Sequence, residues 1–257
     1  MTAVARAHTI TGWTKLEAEL DAWLQADACA SFWWRDDDAT RSGPRLERLL
    51  AIAASRPIAL AVIPSRATSG LAELLQAFST VTVLQHGYAH TNHAPPGARK
   101  AEFGNHRPME TMRAEIRAGR DRIATLFGDR FVSVFVPPWN RFAPDLPAML
   151  DAASLQGLSA FGPRPNGGHR QVNCHVDIVD WRGSRGFVGA GTALARLSDH
   201  LAARRTRSVD ADEPTGLLTH HLVHDAECWR FLEDLTAFVD GHPAAAWVAA
   251  AGPEPLR

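Results

Sequence analysis

Short runs of β-branched and aromatic residues alternate along this chain with segments of helical period, and this alternation constrains the fold more than any other feature. The strand-like runs are SFWW, IALAVIP, VTVLQH, FVSVFVP, GLSAFG, VDIVDW and GLLTHH. Between and around them the spacing predicts helices over 13–27, 44–55, 69–78, 108–127, 144–153, 192–205 and 226–240. Trp13, Leu16, Leu20, Trp23 and Leu24 share one face of the first. Met109, Met112, Ile116, Ile123 and Phe127 form a stripe along the helix over 108–127, and Pro108 suits its first turn. Strand and helix in strict alternation build βα units around a parallel sheet. Seven such units predict an α/β fold, an irregular (β/α)7 barrel of the TIM-like kind. Residues 1–257 are expected to form one domain, since barrels reach this length as one unit and no repeat, low-complexity tract or composition shift marks a boundary.

Charge and cysteine content exclude several classes of function. Lys plus Arg number 27 against 28 Asp plus Glu, and no basic block is long enough to follow a phosphate backbone, so nucleic acid is not an expected partner. No apolar run approaches the ~20 residues of a membrane span, and MTAVARAHTITGWTKLEAEL lacks the apolar core of a signal peptide. The expected location is the cytoplasm. Cys29, Cys174 and Cys228 are odd in number and far apart, which indicates neither a disulfide framework nor a thiolate zinc site. They read as small apolar fillers.

Polar residues crowd the C-terminal ends of the predicted strands: Asp36, Asp37 and Asp38 after the first, His86 and His90 after the third, Asp177 and Asp180 around the sixth, and His220, His221 and His224 after the seventh. In a parallel barrel these ends share one mouth, whose rim would include the irregular segments TNHAPPGARKAEFGNHRP and GPRPNGGHRQ. Three adjacent carboxylates repel unless a cation or hydrogen-bond donors offset the charge. A divalent metal does this, and one carboxylate with two imidazoles is a set that zinc accepts while leaving a position for water. His86 and His90 can converge on one ion if the chain turns helically after the strand.

Taken in order, five elements resemble the polysaccharide deacetylase family of carbohydrate esterases. RDDDA resembles its aspartate pair, HGYAH its H-[ST]-x-x-H metal motif, FVPPWN its R-x-P-[YF] segment, DIVDW its D-x-x-D-W element and LTH its terminal L-x-H. The resemblance runs from residue 35 to residue 221.

It implies a metal-dependent hydrolase that removes N- or O-acetyl groups from a sugar or other small acetylated substrate, with a divalent metal, zinc, as cofactor. The aspartate pair is Asp36 and Asp37 or Asp37 and Asp38; the R-x-D-D form of divergent members favours the second, with Asp37 as general base and Asp38 as ligand beside His86 and His90. His220 matches the general acid, with His221 as its rival, and Asp180 would orient that histidine; Asp177 opens the same element. Trp139, with Asn140 beside it, falls at the acetyl pocket, and Trp181 could stack on a sugar ring. His93 lies outside the motif and suits a loop or substrate contact. Two departures stand out. Gly87 replaces the usual Ser or Thr, and Val136 stands where the family's arginine pairs with the base, so Arg35 or Arg141 would have to substitute. Two other readings are a metal-independent C–N hydrolase of the same superfamily and a catalytically silent carbohydrate-binding protein.

Overall fold

The computed structural model describes residues 3–165 and 171–249, so the middle of the segment GPRPNGGHRQ lies outside the described residues. Among the described residues there are eight strands: β1 (Ala30–Ala39), β2 (Ile58–Val62), β3 (Val81–His86), β4 (Phe131–Val136), β5 (Gly157–Leu158), β6 (Val176–Asp177), β7 (Thr215–Thr219) and β8 (Ala245–Trp247). Seven α-helices accompany them: α1 (Ala3–Gln25), α2 (Pro44–Ala53), α3 (Ser69–Leu75), α4 (Met109–Phe127), α5 (Leu146–Ala152), α6 (Ala190–Arg205) and α7 (Ala226–Gly241). Among the described residues no helix is long and apolar enough to cross a membrane.

The strands run parallel in the order β5-β4-β3-β2-β1-β7-β6, with β8 added beside the start of β1. This is the expected α/β barrel, a curled sheet with helices outside. Its irregular seam lies between β5 and β6, where, among the described residues, the isolated bridges Leu158↔Gln171 and Phe161↔Cys174 stand in place of a continuous ladder. The join of β7 to β1 is continuous from Phe32↔Thr215 to Asp36↔Thr219.

The period-two alternation of a strand explains how β1 organises the molecule. Phe32 and Trp34 face outward into the main core, among Leu46, Leu49 and Leu50 of α2, Leu194 and Leu197 of α6 and Leu232 and Leu235 of α7. Trp33 faces the barrel interior with Ala59, Ala61, Leu84, Val134, Val136 and Leu218. Complete burial of each large aliphatic side chain contributes roughly 1.5–3 kcal/mol, which makes the sheet a rigid support for the residues at its ends. The interior is tight: a Cβ on Gly216 would stand 2.3 Å from both the Asn173 carbonyl oxygen and Trp33 Nε1.

β1 continues well past SFWW, through RDDDA, although aspartate is depleted in strands. Each of these charged side chains finds a buried partner, described below, and those partners outweigh the propensity.

Candidate active site

The three consecutive aspartates at the end of β1 diverge. By alternation Asp37 lies on the interior face with Trp33 and Arg35, and Asp36 on the outer face with Trp34. Asp36 is fully buried there: its Oδ2 accepts from Thr219 Oγ1 (2.7 Å) and the His221 N–H (2.9 Å), and its Oδ1 lies 2.5 Å from His221 Nδ1. Burial pushes the Asp36 carboxyl up, but His221 outweighs it and holds the group below its ordinary range. His221 moves the opposite way, burial lowering it and Asp36 raising it more. Asp36 and His221 are thus a buried pair behind the sheet, and neither enters the site.

Asp38 would follow Asp36 outward if the strand stayed regular. The pairing of β1 with β2 shifts register between Asp36 and Ala39, and Asp38 takes a left-handed φ of 72°. This irregularity re-aims the side chain, as bulges at barrel rims do. Asp38 Oδ1 then lies 3.3 Å from His86 Nε2 and 3.3 Å from His90 Nε2. One ligand atom from each of these three residues falls within 4.8 Å of the others.

The donor set fits a divalent cation. His86 Nδ1 donates to the Val136 carbonyl (3.0 Å), so its Nε2 is the nitrogen presented to the site. Asp38 Oδ1 is buried without a hydrogen-bond partner. Such an atom is costly unless a cation or donor meets it. Burial raises the Asp38 carboxyl, but His86 and His90 outweigh that and hold it far below the usual carboxylate range. Burial and then the neighbouring His86 lower His90 to about 4, which leaves its imidazole neutral above that pH. His86 is pushed down by burial but raised further by Asp37 and Asp38.

The turn that carries His90 is held by Glu102, a residue that the sequence reading missed. Its fully buried carboxylate accepts from the N–H groups of Tyr88 (3.2 Å), Ala89 (2.7 Å) and Thr91 (3.5 Å), on either side of His90, whose φ is 56°. This explains Gly87. At φ 56° a Cβ there would stand 2.1 Å from Glu102 Oε2 and 2.6 Å from the Pro138 ring. Serine or threonine cannot occupy the position while Glu102 does.

Asp37 is gripped by Arg35, with Nε 2.8 Å from Oδ1 and a nitrogen of the fork donating to Oδ2 at 3.0 Å. Arg35 is fully buried, and it also donates to Ser159 Oγ (2.6 Å), the Ala160 carbonyl (3.3 Å) and Asn140 Oδ1 (2.9 Å). Arg35 therefore supplies the charge that Val136 lacks. Arg141 does not, since it donates to the Lys100 carbonyl (3.1 Å). Asn140 is committed through its carbonyl oxygen to Arg35.

On the other side of Asp37 stands His220, whose Nε2 is 4.0 Å from Asp37 Oδ2 and whose Nδ1 is 4.0 Å from Asp177 Oδ1. Asp177, not Asp180, is the carboxylate behind this histidine. Asp180 caps a turn, accepting from the N–H groups of Arg182 (3.3 Å), Gly183 (3.0 Å) and Ser184 (3.3 Å). Burial raises the Asp177 carboxyl, with His220 opposing. Trp181 donates from Nε1 to Asp177 Oδ2 (2.8 Å) and sets its ring edge-on to His220 at 4.8 Å. Trp139 lies 4.4 Å from the His90 ring and, like Asn140, has positive φ. Left-handed residues cost ~1–3 kcal/mol each and cluster at functional sites; here Asp38, His90, Trp139 and Asn140 all line one mouth. His93 is exposed in the loop and is not among the clustered ligands.

A second cluster, His175, His200 and Glu213, is buried at the opposite end of the barrel, where β6 and β7 begin. It is not built for a metal. The Gly216 N–H donates to His175 Nδ1 (2.9 Å), which fixes the ring proton on the Nε2 that faces Glu213 Oε2 at 3.4 Å. The two rings also stack at 3.5 Å and 20°, so their in-plane nitrogens point side by side instead of converging.

No family model matches the chain, and no curated protein matches it. Solved structures do. A family 4 acetyl xylan esterase from Clostridium thermocellum, in complex with a cobalt ion, aligns over 85% of this chain and 87% of its own at 16% identity and a TM-score of 0.51. A family 4 carbohydrate esterase from Streptomyces lividans, in complex with acetate, aligns over 88% and 95% at 15% identity and a TM-score of 0.56. A CE4 esterase from Streptococcus mutans aligns over 89% and 88% at 11% identity and a TM-score of 0.55. The chain has the fold of these carbohydrate esterases.

Proposed function

We propose that this chain is a metal-dependent deacetylase, a divergent member of the polysaccharide deacetylase family, that hydrolyses an N- or O-acetyl group on a sugar, oligosaccharide or polysaccharide precursor. The observation that carries the reading is the meeting of Asp38, His86 and His90 at one point beside an Asp37 held by Arg35. Two nitrogen donors and one oxygen donor suit zinc, and such an ion supplies a Lewis acid for an acyl carbonyl and lowers the pKa of water.

The chain's own residues account for the proton movements. Asp37, clamped on one edge by Arg35, takes the proton of the attacking water. His220, 4.0 Å from Asp37, gives a proton to the departing nitrogen or oxygen as the bond to the acetyl carbon breaks. Acetate and a free amine or hydroxyl leave. Asp177 sits behind His220 and, through Trp181, ties it to the rim. Trp139 and Trp181 offer apolar surface to the acetyl methyl and a sugar face. The esterase activity named for structures of this fold supports the same reaction class.

Neither a metal-independent C–N hydrolase nor a silent binding protein requires the three-ligand set. Val136 alone would favour a silent protein, and the Arg35–Asp37 pair supports the catalytic reading instead. Elemental analysis of purified protein together with hydrolysis of 4-nitrophenyl acetate tests the reading: a divalent ion and turnover are expected, and metal-free protein with no esterase activity after zinc or cobalt is added would overturn it.

A further inference from the structure

Beside the ligands Asp38 and His90 a cleft of about 440 Å³ opens between the ends of β1 and β2, and its lining includes Thr40, Arg41, Ile63, Arg66 and Leu222. That volume falls within the range of small-molecule sites. Arg41 follows β1, and Arg66 ends the short 3-10 turn after β2. Both are exposed, and neither guanidinium has a hydrogen bond or ion pair among the described residues, Arg66 bonding only through its backbone N–H to the Ile63 carbonyl. Three arginines nearby are committed: Arg35 to Asp37, Arg45 to the His224 carbonyl and Arg141 to the Lys100 carbonyl. Among the described residues Asp38 is the only carboxylate lining the cleft, and the two imidazoles beside it already face its charge.

Two uncommitted guanidinium groups on one cleft that opens onto the ligand cluster serve no purpose toward a neutral acetamido sugar. They suit an oxyanion, because arginine presents a planar fork of donors that matches phosphate or carboxylate oxygens. Ile63 and the exposed Leu222 add apolar surface for the ring that carries that group. We infer that the acetylated substrate bears a negatively charged group, a phosphate or a carboxylate, which Arg41 and Arg66 hold in this cleft while the acetyl group lies at the ligand cluster. The inference rests on the deacetylase reading for the position of the acetyl group, but the charge preference is measurable by binding alone.

The test is titration calorimetry at low salt on the zinc-loaded Asp37→Asn protein, in which turnover is suppressed. Four probes are compared: N-acetylglucosamine, its 1-phosphate, its 6-phosphate and N-acetylmuramic acid. At least one anionic probe should bind tenfold or more tighter than the neutral sugar, and the preference should shrink as salt is raised. The two phosphates against the carboxylate identify the group. In the background of Arg41→Gln with Arg66→Gln the preference should vanish, whereas the charge-matched Arg117→Gln with Arg207→Gln should keep it; thermal melts verify that both are folded. Equal binding of all four probes, or an anionic preference that survives loss of Arg41 and Arg66, overturns the inference. Failure of the deacetylase reading shows separately, as absence of esterase turnover in the wild-type protein.

Discussion

Arg35 grips Asp37 from the same interior face of β1, two residues back along the strand, and so takes over from a different strand the pairing that Val136 on β4 cannot make. The geometry is two-point, and the guanidinium is enclosed by Ser159, Ala160 and Asn140. Lysine cannot reproduce it. Arg35→Lys should keep the ion bound and lower kcat by about 10²-fold, the scale of a small misplacement of a catalytic group. Arg35→Met, which leaves Asp37 buried and unpaired, should also cost about 3–5 kcal/mol of stability in denaturant titrations. Wild-type kcat in Arg35→Lys would show that the pair is structural only.

The neighbouring aspartates should separate cleanly by phenotype. Asp37→Asn removes the base and should reduce turnover by ~10²–10⁴-fold with the ion and the melting temperature retained. Asp36→Asn strips the buried His221 of its partner and should lower the melting temperature while the remaining folded protein turns over normally. Elemental analysis, melting curves and kcat on both variants decide it; the reverse pattern would exchange the two roles.

Gly87→Ser restores the residue type of the resembling family yet should damage this protein. The added Cβ meets Glu102 and Pro138, so the turn bearing His90 must shift. Zinc affinity should fall by at least about tenfold, in line with loss of support to a metal ligand. Pairing it with Glu102→Ala relieves the carboxylate clash, and partial recovery of affinity in that double variant would trace the damage to Glu102. Unchanged affinity in Gly87→Ser alone would show that the turn is not rigid.

Metal uptake should release protons with a definite stoichiometry. His86 is raised above its ordinary value and so carries a proton in the ion-free protein at mildly acidic pH. His90, lowered to about 4, is already neutral there, and Asp38 is ionised. Binding therefore displaces about one proton, from His86, between pH ~4 and the raised value of His86, and affinity should fall about tenfold for each pH unit lost in that window. Calorimetry in buffers of different ionisation enthalpy counts the protons. Release of two near neutrality would mean that His90 is protonated before binding.

The alternation of strands and helices was legible because every βα unit buries its own apolar stripe, and the meeting of His86 and His90 was legible because HGYAH keeps its spacing. What escaped were features set by local geometry. Nothing in DDD indicates that a register shift turns Asp38 away from the side that Asp36 occupies. Asp180 and Asp177 flank the same element, and only the turn that binds Asp180 to Arg182, Gly183 and Ser184 leaves Asp177 behind His220. Glu102 sits in an irregular segment with no motif around it, and β8 is too short to display a period.

The most direct test of the central claim follows acetate release from an N-acetylated sugar, with and without a phosphate or carboxylate, as a chelator strips the protein and zinc or cobalt is restored. Release that stops on chelation, returns with the ion and is absent in His86→Ala at any ion concentration that the fold tolerates is the predicted result. Release that continues undiminished in chelated protein, or none from fully zinc-loaded protein on any acetylated sugar, would contradict it.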